Sequence, residues 1–306
     1  MTHLFSLKFI ILYIYIISVA YTQFRGKVRL KFLRQVVNHS TFIAPINALM
    51  YLFSSVPNQP FQKMEQFPAL ATLSENWEVI RDEAEQLVNK GLIKAADNHD
   101  DLGFNSFFKR GWKRFYLKWY ENFLPSATTL CPQTVELLKS IPNIHGAMFT
   151  LLPKNGQLKP HRDPYAGSLR YHLGLITPNS EDCCIYVDGI QYAWKDGEAV
   201  LFDETYIHSA KNTTDVDRII LFCDIERPLN NKIATCINHF ICRYIMSGSA
   251  TQNMTTDRVG LLNKIYKYYR YVEALAMRLK KSNKLVFQCL QYTGIAGLFY
   301  LLFFRF

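Results

Sequence analysis

Residues 169–203, "LRYHLGLITPNSEDCCIYVDGIQYAWKDGEAVLFD", alternate apolar runs of strand length with short polar turns. The turns contain Asp188–Gly189 and Asp196–Gly197, pairs that favour tight reversals of the chain. Similar runs lie on either side, "GAMFTLL" at residues 146–152 and "RIILFCDI" at residues 218–225. Several short strands at near-regular spacing are typical of a β-sandwich or barrel and not of a parallel α/β sheet. The sequence therefore predicts a mainly β core.

Two helices are predicted ahead of these strands. "SENWEVIRDEAEQLVNKG", residues 74–91, places its apolar side chains on one helical face, with Ser74 as the expected N-cap and Gly91 as the stop. "CPQTVELLKS", residues 131–140, is a shorter helix by the same criteria. The acidic stretch between the two helices, residues 97–101, is interpreted as a solvated loop and not as a metal site. The predicted fold class is mainly β with flanking helices.

The composition indicates a folded domain with an anionic partner. The chain has 306 residues, 49% of them hydrophobic, which is ample for a buried core. Its 35 basic and 25 acidic residues give a net charge of +10, which suits nucleic acid, phospholipid headgroups or a phosphorylated substrate. The seven cysteines lack the dense spacing of a disulfide scaffold, so we expect reduced thiols in a cytosolic compartment. No recognised nucleic-acid motif accompanies the basic runs, and a nucleic-acid partner is therefore not expected.

The start of the chain has the composition of a transmembrane helix. Residues 4–21 are apolar with a single charge, Lys8, and approach the length that spans a bilayer. The basic run "RGKVRLKFLR", residues 25–34, follows and is expected to remain in the cytoplasm by the positive-inside rule. A signal peptide and a solvated basic face are the alternatives, but no small-x-small cleavage site follows the apolar residues.

A second hydrophobic segment lies near the end of the sequence. "LVFQCLQYTGIAGLFYLLFF", residues 285–304, carries no charge and follows Lys280, Lys281 and Lys284. Its length predicts a membrane segment, with the lysines on the cytoplasmic side. A second span and a hydrophobic hairpin or interfacial helix are both compatible with this pattern.

The stretch "HRDPYAGSLRYHLGL", residues 161–175, places two metal-binding side chains ahead of a strand. His161 and Asp163 are two positions apart, so in extended backbone both side chains leave the same face and converge on one ion. His208 follows a later strand and is the candidate third ligand. Two imidazoles and one carboxylate on one face leave three coordination positions open, as non-haem Fe(II) oxygenases require. In the alternative interpretation, "HRDP" is a hydrogen-bonded turn and His208 an ordinary loop residue.

Two arginines on strands point to an anionic ligand. Arg170 opens "LRYHLGL" and Arg218 heads "RIILFCDI". An arginine directed into a pocket between strands is unfavourable unless it pairs with an anion, and its planar guanidinium fits a carboxylate such as that of 2-oxoglutarate. A salt bridge to Asp224 or Glu226 is the alternative for both. His172 shares a strand face with Arg170 and is interpreted as a contact of the metal ligands or of the cosubstrate, in preference to a core histidine.

These residues together resemble a known enzyme family. The run "HRDPYAGSLRYHLGL" is followed by "LFDETYIHSAKN", residues 201–212, and then by Arg218. The combination resembles the aspartyl/asparaginyl β-hydroxylase family of Fe(II)/2-oxoglutarate dioxygenases, and the resemblance covers nearly the whole chain. It implies a double-stranded β-helix, which is a cupin-like jelly roll. The basic segment behind the hydrophobic N-terminus is similar to the branch of the family that hydroxylates lipid A.

The resemblance implies roles for individual residues. His161 and His208 are expected to bind iron. The position matching Asp163 lacks a carboxylate in the animal peptide hydroxylases, whereas this chain has one, so we expect a metal site of three residues. The family places a tryptophan near the cosubstrate in the segment matching "GWKRFYLKWY", where Trp112 and Trp119 both qualify. The implied 2-oxoglutarate-binding residues are Arg170, Arg218, His172 and Thr150.

The implied reaction is hydroxylation of C2 of a fatty acyl chain on lipid A, giving a 2-hydroxyacyl group, succinate and CO₂. Fe(II), 2-oxoglutarate and O₂ are the implied cofactors, with ascorbate as a candidate reductant. The implied partners are lipid A or its precursor and an anionic phospholipid membrane. The implied location is the bacterial inner membrane, with the catalytic domain facing the cytoplasm. A peptidyl aspartyl/asparaginyl β-hydroxylase and a non-catalytic membrane-bound binding module are the alternatives.

The chain is accordingly divided into five parts. Residues 1–24 are predicted as a transmembrane helix and residues 25–60 as a basic juxtamembrane and interfacial segment. Residues 61–230 form the expected dioxygenase domain. Residues 231–284 are a basic helical segment, and residues 285–306 are a hydrophobic C-terminal membrane segment.

Overall fold

The computed structural model describes residues 6–96 and 101–301, and strands form its core. In these ranges the strands are β1 (Phe61–Gln62), β2 (Lys113–Trp119), β3 (Asn122–Phe123), β4 (Ile144–Leu152), β5 (Gln157–His161), β6 (Ser168–Ile176), β7 (Cys183–Val187), β8 (Ile190–Ala193), β9 (Ala199–Phe202), β10 (His208–Asn212) and β11 (Arg218–Glu226). Antiparallel pairing joins them into two sheets. The larger has the order β1-β9-β6-β11-β4-β2-β3 and the smaller the order β5-β10-β7-β8.

The two sheets face each other as in a jelly roll. Ile185 and Ala210 of the smaller sheet line the same cavity as Thr150, His172 and Phe222 of the larger sheet. The central strands β6 and β11 pair along their length and are buried except at their last residues. Their apolar runs are nearly continuous because both faces of the sheet are covered. The predicted mainly β, cupin-like core with flanking helices is confirmed.

The five apolar runs identified in the sequence form β4, β6, β7, β9 and β11. The sequence pattern did not predict β2, because its charged side chains obscure the alternation of apolar and polar residues that is typical of a strand. Arg114 in β2 is nevertheless buried, because it pairs with Asp101 at 3.2 Å. Tyr116 donates a second hydrogen bond to the same carboxylate. The prediction of a solvated loop was therefore wrong at Asp101, while residues 97–100 lie outside the described ranges.

Helices cover the larger sheet and both ends of the described chain. They are α1 (Leu7–Phe24), α2 (Phe32–Val36), α3 (His39–Phe42), α4 (Ala44–Leu52), α5 (Ala71–Glu75), α6 (Trp77–Asn89), α7 (Asn105–Phe108), α8 (Pro125–Leu130), α9 (Pro132–Lys139), α10 (Lys232–Ile241), α11 (Leu261–Ser282) and α12 (Lys284–Tyr300). The two predicted helices are α6 and α9. Gly91 has a φ of 66° just after α6, as a helix stop requires. Ser74 is not the N-cap, because Asn76 precedes α6 and the Ser74 hydroxyl lies 3.2 Å from that of Tyr171.

One helix of the described chain, α1, is long and apolar enough to cross a membrane. The C-terminal helix α12 has 17 residues, so the predicted membrane segment there is not confirmed. Residues 1–5 and 302–306 of the two predicted segments lie outside the description. Between them, α11 is amphipathic, with a row of exposed apolar side chains and basic side chains beside it. The large apolar side chains exposed on this helix are those of Leu261, Ile265, Tyr268, Tyr269, Val272, Leu275 and Met277.

The end of α1 is fixed to the β core by a buried ion pair. Arg25 follows α1 directly and donates to Asp203 at 2.7 Å. Arg227 donates to the same carboxylate oxygen at 2.8 Å. The guanidinium of Arg25 lies 3.9 Å from the ring centres of both Tyr51 and Tyr206. Arg25 thus belongs to the protein interior and not to the basic surface that the sequence predicts for residues 25–34.

The cysteines agree with the expectation of reduced thiols. All seven lie in the described part of the chain and all are free. Cys183 and Cys184 are buried at the start of β7, and burial raises the pKa of the Cys183 thiol to about 11. These thiols therefore serve as small apolar side chains in the core.

Candidate metal centre

The strand pairing of the smaller sheet brings the three predicted metal ligands together. His161 ends β5 and His208 begins β10, and the two residues are direct partners in the antiparallel register. Asp163 lies in the turn that leaves β5. One ligand atom from each of the three side chains lies within 4.8 Å of the other two. The three predicted metal ligands thus form one cluster.

Backbone carbonyl groups orient both imidazoles. His161 Nδ1 donates to the carbonyl of Lys159 at 2.7 Å, and His208 Nδ1 donates to the carbonyl of Tyr206 at 3.0 Å. These bonds fix the tautomer and leave both Nε2 atoms free to bind a metal ion. The two Nε2 atoms lie 3.8 Å and 4.0 Å from Asp163 Oδ1. Two nitrogens and one oxygen therefore converge on one point, which is the donor set of a non-haem iron site.

The protonation states also suit a metal. Burial, followed by the neighbouring His161, lowers the pKa of His208 to about 3. Burial likewise lowers the pKa of His161. Burial alone would raise the pKa of Asp163, but Arg170 and the two histidines lower it to about 2. Neutral imidazoles and an ionised carboxylate are the forms that bind Fe(II).

Arg170 lies among three carboxylates, one in the strand β11 and two in connections between strands. Its Nη2 donates to Asp163 Oδ2 and its Nε donates to Asp224 Oδ1, both at 2.9 Å. The salt bridge to Asp224 that the sequence left as an alternative is therefore formed. Arg170 also faces Glu204 at 3.8 Å, and burial raises the pKa of Glu204 to about 8. In this arrangement Arg170 positions the ligand Asp163, while its side chain still borders the cavity between the sheets.

Arg218 is a buried cation without a carboxylate partner among the described residues. Its Nε has no hydrogen-bond partner, and its guanidinium stacks 4.4 Å from the ring centre of Trp194. Burial lowers the pKa of Arg218 to about 10. Neither nitrogen of the buried His172 has a partner, and Thr150 lies in the wall of the same cavity. These unpaired groups fit a dicarboxylate such as 2-oxoglutarate, because its charges and oxygens would pair with them.

The cavity that contains these groups is called here the cosubstrate cavity. His161, His208, Arg218, His172 and Thr150 all line it. Of the two tryptophans that the sequence analysis proposed, Trp112 lines this cavity. Trp119 instead donates to the carbonyl of Met246 and lies outside it.

The sequence analysis did not identify three other residues at the site. Trp194 stacks on Arg218, and Phe107 packs edge-on against His161 with 4.9 Å between ring centres. Glu204 Oε1 accepts a hydrogen bond from the Ser168 hydroxyl at 2.8 Å. The only local signal for Trp194 is its position just before a tight turn, so contacts between distant strands were needed to find it.

Comparison with known proteins identifies the family. A family model described as aspartyl/asparaginyl β-hydroxylase matches residues 74–228, a range that includes all the ligands and cavity residues described above. The chain belongs to the aspartyl/asparaginyl β-hydroxylase family. This hydroxylase is therefore an enzyme, a dioxygenase of the Fe(II)/2-oxoglutarate class.

Two relatives and one solved structure illustrate the similarity. An ornithine lipid ester-linked acyl 2-hydroxylase from Rhizobium tropici is 32% identical over 194 residues, which cover 62% of this hydroxylase and 69% of the relative. The human aspartyl/asparaginyl β-hydroxylase is 27% identical over 164 residues, covering 51% of this chain but only 21% of the relative. A prolyl-4-hydroxylase structure from Pseudomonas putida has a TM-score of 0.35 and 14% identity, covering 60% of this chain and 99% of that one.

Proposed function

We propose that this hydroxylase uses Fe(II), 2-oxoglutarate and O₂ to hydroxylate C2 of a fatty acyl chain on lipid A. The observation that carries the proposal is the cluster of His161, Asp163 and His208 beside the unpaired cation of Arg218. A metal site with open positions next to a binding site for a carboxylate is what 2-oxoglutarate-dependent hydroxylation needs. The products are a 2-hydroxyacyl group, succinate and CO₂.

The residues of the site have distinct tasks in this reaction. Iron, 2-oxoglutarate and O₂ when bound supply the oxidising power that replaces a C–H hydrogen with a hydroxyl group. Arg218 would pair with a carboxylate of 2-oxoglutarate, and Thr150 and His172 line the same cavity. Arg170 holds Asp163 in place. The apolar rings around the metal keep water from the reacting carbon.

A lipid substrate is supported by the surface of the chain and by one relative. The Rhizobium tropici relative acts, by its name, on the acyl group of a lipid. The amphipathic helix α11 combines exposed apolar side chains with Lys264, Lys267 and Arg278, a composition that favours an anionic membrane surface. Lipid A has both the phosphates and the acyl chains that these features suit.

The membrane arrangement is part of the proposal. Residues 1–24 span the inner membrane of a bacterium, and residues 25–60 follow on its cytoplasmic side. The dioxygenase domain, residues 61–230, faces the cytoplasm. The basic helical segment at residues 231–284 lies against the membrane surface, and residues 285–306 form a second hydrophobic membrane segment.

Mass spectrometry of lipid A tests this function. The protein and its His161→Ala variant are expressed in a bacterium with unmodified lipid A, and cells are grown with ¹⁸O₂ or without oxygen. We expect one added oxygen on an acyl chain, heavy under ¹⁸O₂, only in aerobic cells that contain the intact metal site. Unmodified lipid A despite membrane-inserted, iron-loaded protein would reject lipid A as the substrate. Hydroxylation of an aspartyl or asparaginyl peptide by a truncation without α1 would instead favour the peptide hydroxylase.

A further inference from the structure

A second cavity lies beside the metal-ligand cluster and adjoins the cosubstrate cavity. We call it the distal cavity and define it by its apolar walls, Phe104, Trp119, Tyr120, Ile245, Met246 and Leu262. Its volume is about 390 Å³. Ligand pockets in proteins typically have volumes of about 300–1,000 Å³ and mainly apolar walls, so this cavity has the size and lining of a binding site for an apolar molecule.

The two cavities meet at the cluster of metal ligands. His161 and His208 line the cosubstrate cavity, whereas Asp163 lines the distal cavity. Phe107 and Arg170 border both. A molecule in the distal cavity therefore lies next to Asp163, in a space separate from the groups that suit 2-oxoglutarate.

The metal-ligand cluster beside the distal cavity is not fully buried. The side chains of His161 and Asp163 keep 21% and 20% of their surface exposed. The bulky polar headgroup of a lipid can thus remain outside while its acyl chain lies along the apolar walls. Glu204 also lines the cavity, and its buried Oε2 has no hydrogen-bond partner, which provides a polar contact near the ester end of such a chain.

Membrane-directed elements border the cavity. His39 belongs to α3 in the juxtamembrane segment, and Leu262 belongs to the amphipathic helix α11. Leu261, the neighbour of Leu262, is exposed on the apolar side of that helix. An acyl chain that leaves the bilayer between α3 and α11 would reach the cavity without crossing water, which avoids the loss of apolar contacts.

We infer that the distal cavity binds the acyl chain of the lipid substrate from the reacting carbon to its end, and so sets the preferred chain length. This inference rests on the proposed hydroxylation of a lipid acyl chain. It adds the location of the acyl chain in the protein and the residues that limit its length.

Substitutions that reduce the volume of the distal cavity test the inference. Leu262→Trp and Ile245→Trp each add a large ring to its wall, while Leu261→Trp places the same ring outside the cavity on the same helix. Each purified full-length protein is given lipid A precursors that carry a C10, C12, C14 or C16 acyl chain, and hydroxylated product is measured by mass spectrometry. For the two cavity variants we expect the ratio of short-chain to long-chain rates to rise at least about tenfold, because one methylene in a fitted pocket changes rates about 10–200-fold. Leu261→Trp should keep the wild-type profile.

A cross-linking measurement on the wild-type protein does not depend on how the variants fold. A lipid A precursor with a diazirine at the end of its acyl chain is irradiated with the holoenzyme, and labelled peptides are identified. Labels within residues 102–120 or 245–262 are expected. Labels confined to α1 and α12, or a chain-length profile unchanged in both cavity variants, would overturn the inference. If wild-type enzyme hydroxylates no acyl lipid of any length, the proposed function itself fails.

Discussion

Arg218 is a buried charge whose partner must come from a ligand. Arg218→Met is expected to raise the KM for 2-oxoglutarate strongly, because removing one member of a buried charge pair costs about 2–5 kcal/mol. The kcat at saturating 2-oxoglutarate should fall less. Steady-state titration of 2-oxoglutarate checks this, with Arg81→Met as a control, since Arg81 lies near the surface and pairs with the exposed Asp82. An unchanged KM in Arg218→Met would assign the cosubstrate carboxylate to another residue.

His208 and His172 allow a matched test of the metal site. Both are buried histidines that line the cosubstrate cavity, but only His208 belongs to the ligand cluster. His208→Ala should lose Mn(II) or Fe(II) binding, measured by calorimetry without oxygen. His172→Ala should keep metal binding and lose affinity for 2-oxoglutarate. Equal metal affinity in His208→Ala and the wild type would contradict the assigned ligand set.

At the residue scale, the sequence predicted the parts of the site that depend on residues close together in the chain. His161 and Asp163 are two positions apart, and His208 follows a recognisable strand, so the cluster was found from spacing. The role of Arg170 was left between a cosubstrate contact and a salt bridge. Its pairing with Asp224 depends on the register of β6 and β11, which places these two residues opposite each other and which no local pattern reveals.

The junction between α1 and the β core is expected to contribute strongly to stability. Asp203 is fully buried between Arg25 and Arg227, which hold its pKa well below its ordinary value although burial alone would raise it. Asp203→Asn leaves two buried arginines without their counter-ion, and such a loss destabilises proteins by about 3–5 kcal/mol. A lower midpoint of thermal unfolding in detergent at pH 7 is the expected result. Asp82→Asn, which breaks an exposed pair, should leave that midpoint unchanged.

The same junction predicts a dependence on pH with a definite sign. An aspartate whose pKa is lowered by folding adds stability that is complete above its unfolded pKa of about 3.9 and is lost as pH falls below it. The difference in unfolding midpoint between wild type and Asp203→Asn should therefore be full at pH 7 and shrink below about pH 4. A difference that grows on acidification would show that Asp203 is not ionised in the folded protein.

At the element scale, the strands that the sequence revealed are those buried on both faces. β6 and β11 are nearly continuous apolar runs because one face meets the smaller sheet and the other meets helices. β5 is mostly exposed, and its sequence, "QLKPH", has neither an apolar run nor strict alternation. Its pairing with β10 creates the metal site, so the strand that matters most for function had the weakest local pattern.

For the whole molecule, the basic face of α11 predicts that lipid charge controls turnover. Hydroxylation by protein in nanodiscs should be faster with anionic than with neutral phospholipid, since each basic residue near an anionic surface contributes about 1 kcal/mol to attraction. Lys264→Glu with Lys267→Glu should reduce this stimulation, and added salt should reduce it in the wild type. Lys139→Glu with Lys154→Glu reverses the same charge on other elements and serves as the control. Equal stimulation in both double variants would remove α11 from membrane contact.

Arg25 follows α1 without a linker, and the rings of Tyr51 and Tyr206 enclose its guanidinium. The catalytic domain is therefore held at a constant height above a membrane that contains α1. At this constant height, the distance from the bilayer surface to the distal cavity is the same in every turnover, so the proposed acyl substrate would have to leave the bilayer by a fixed length.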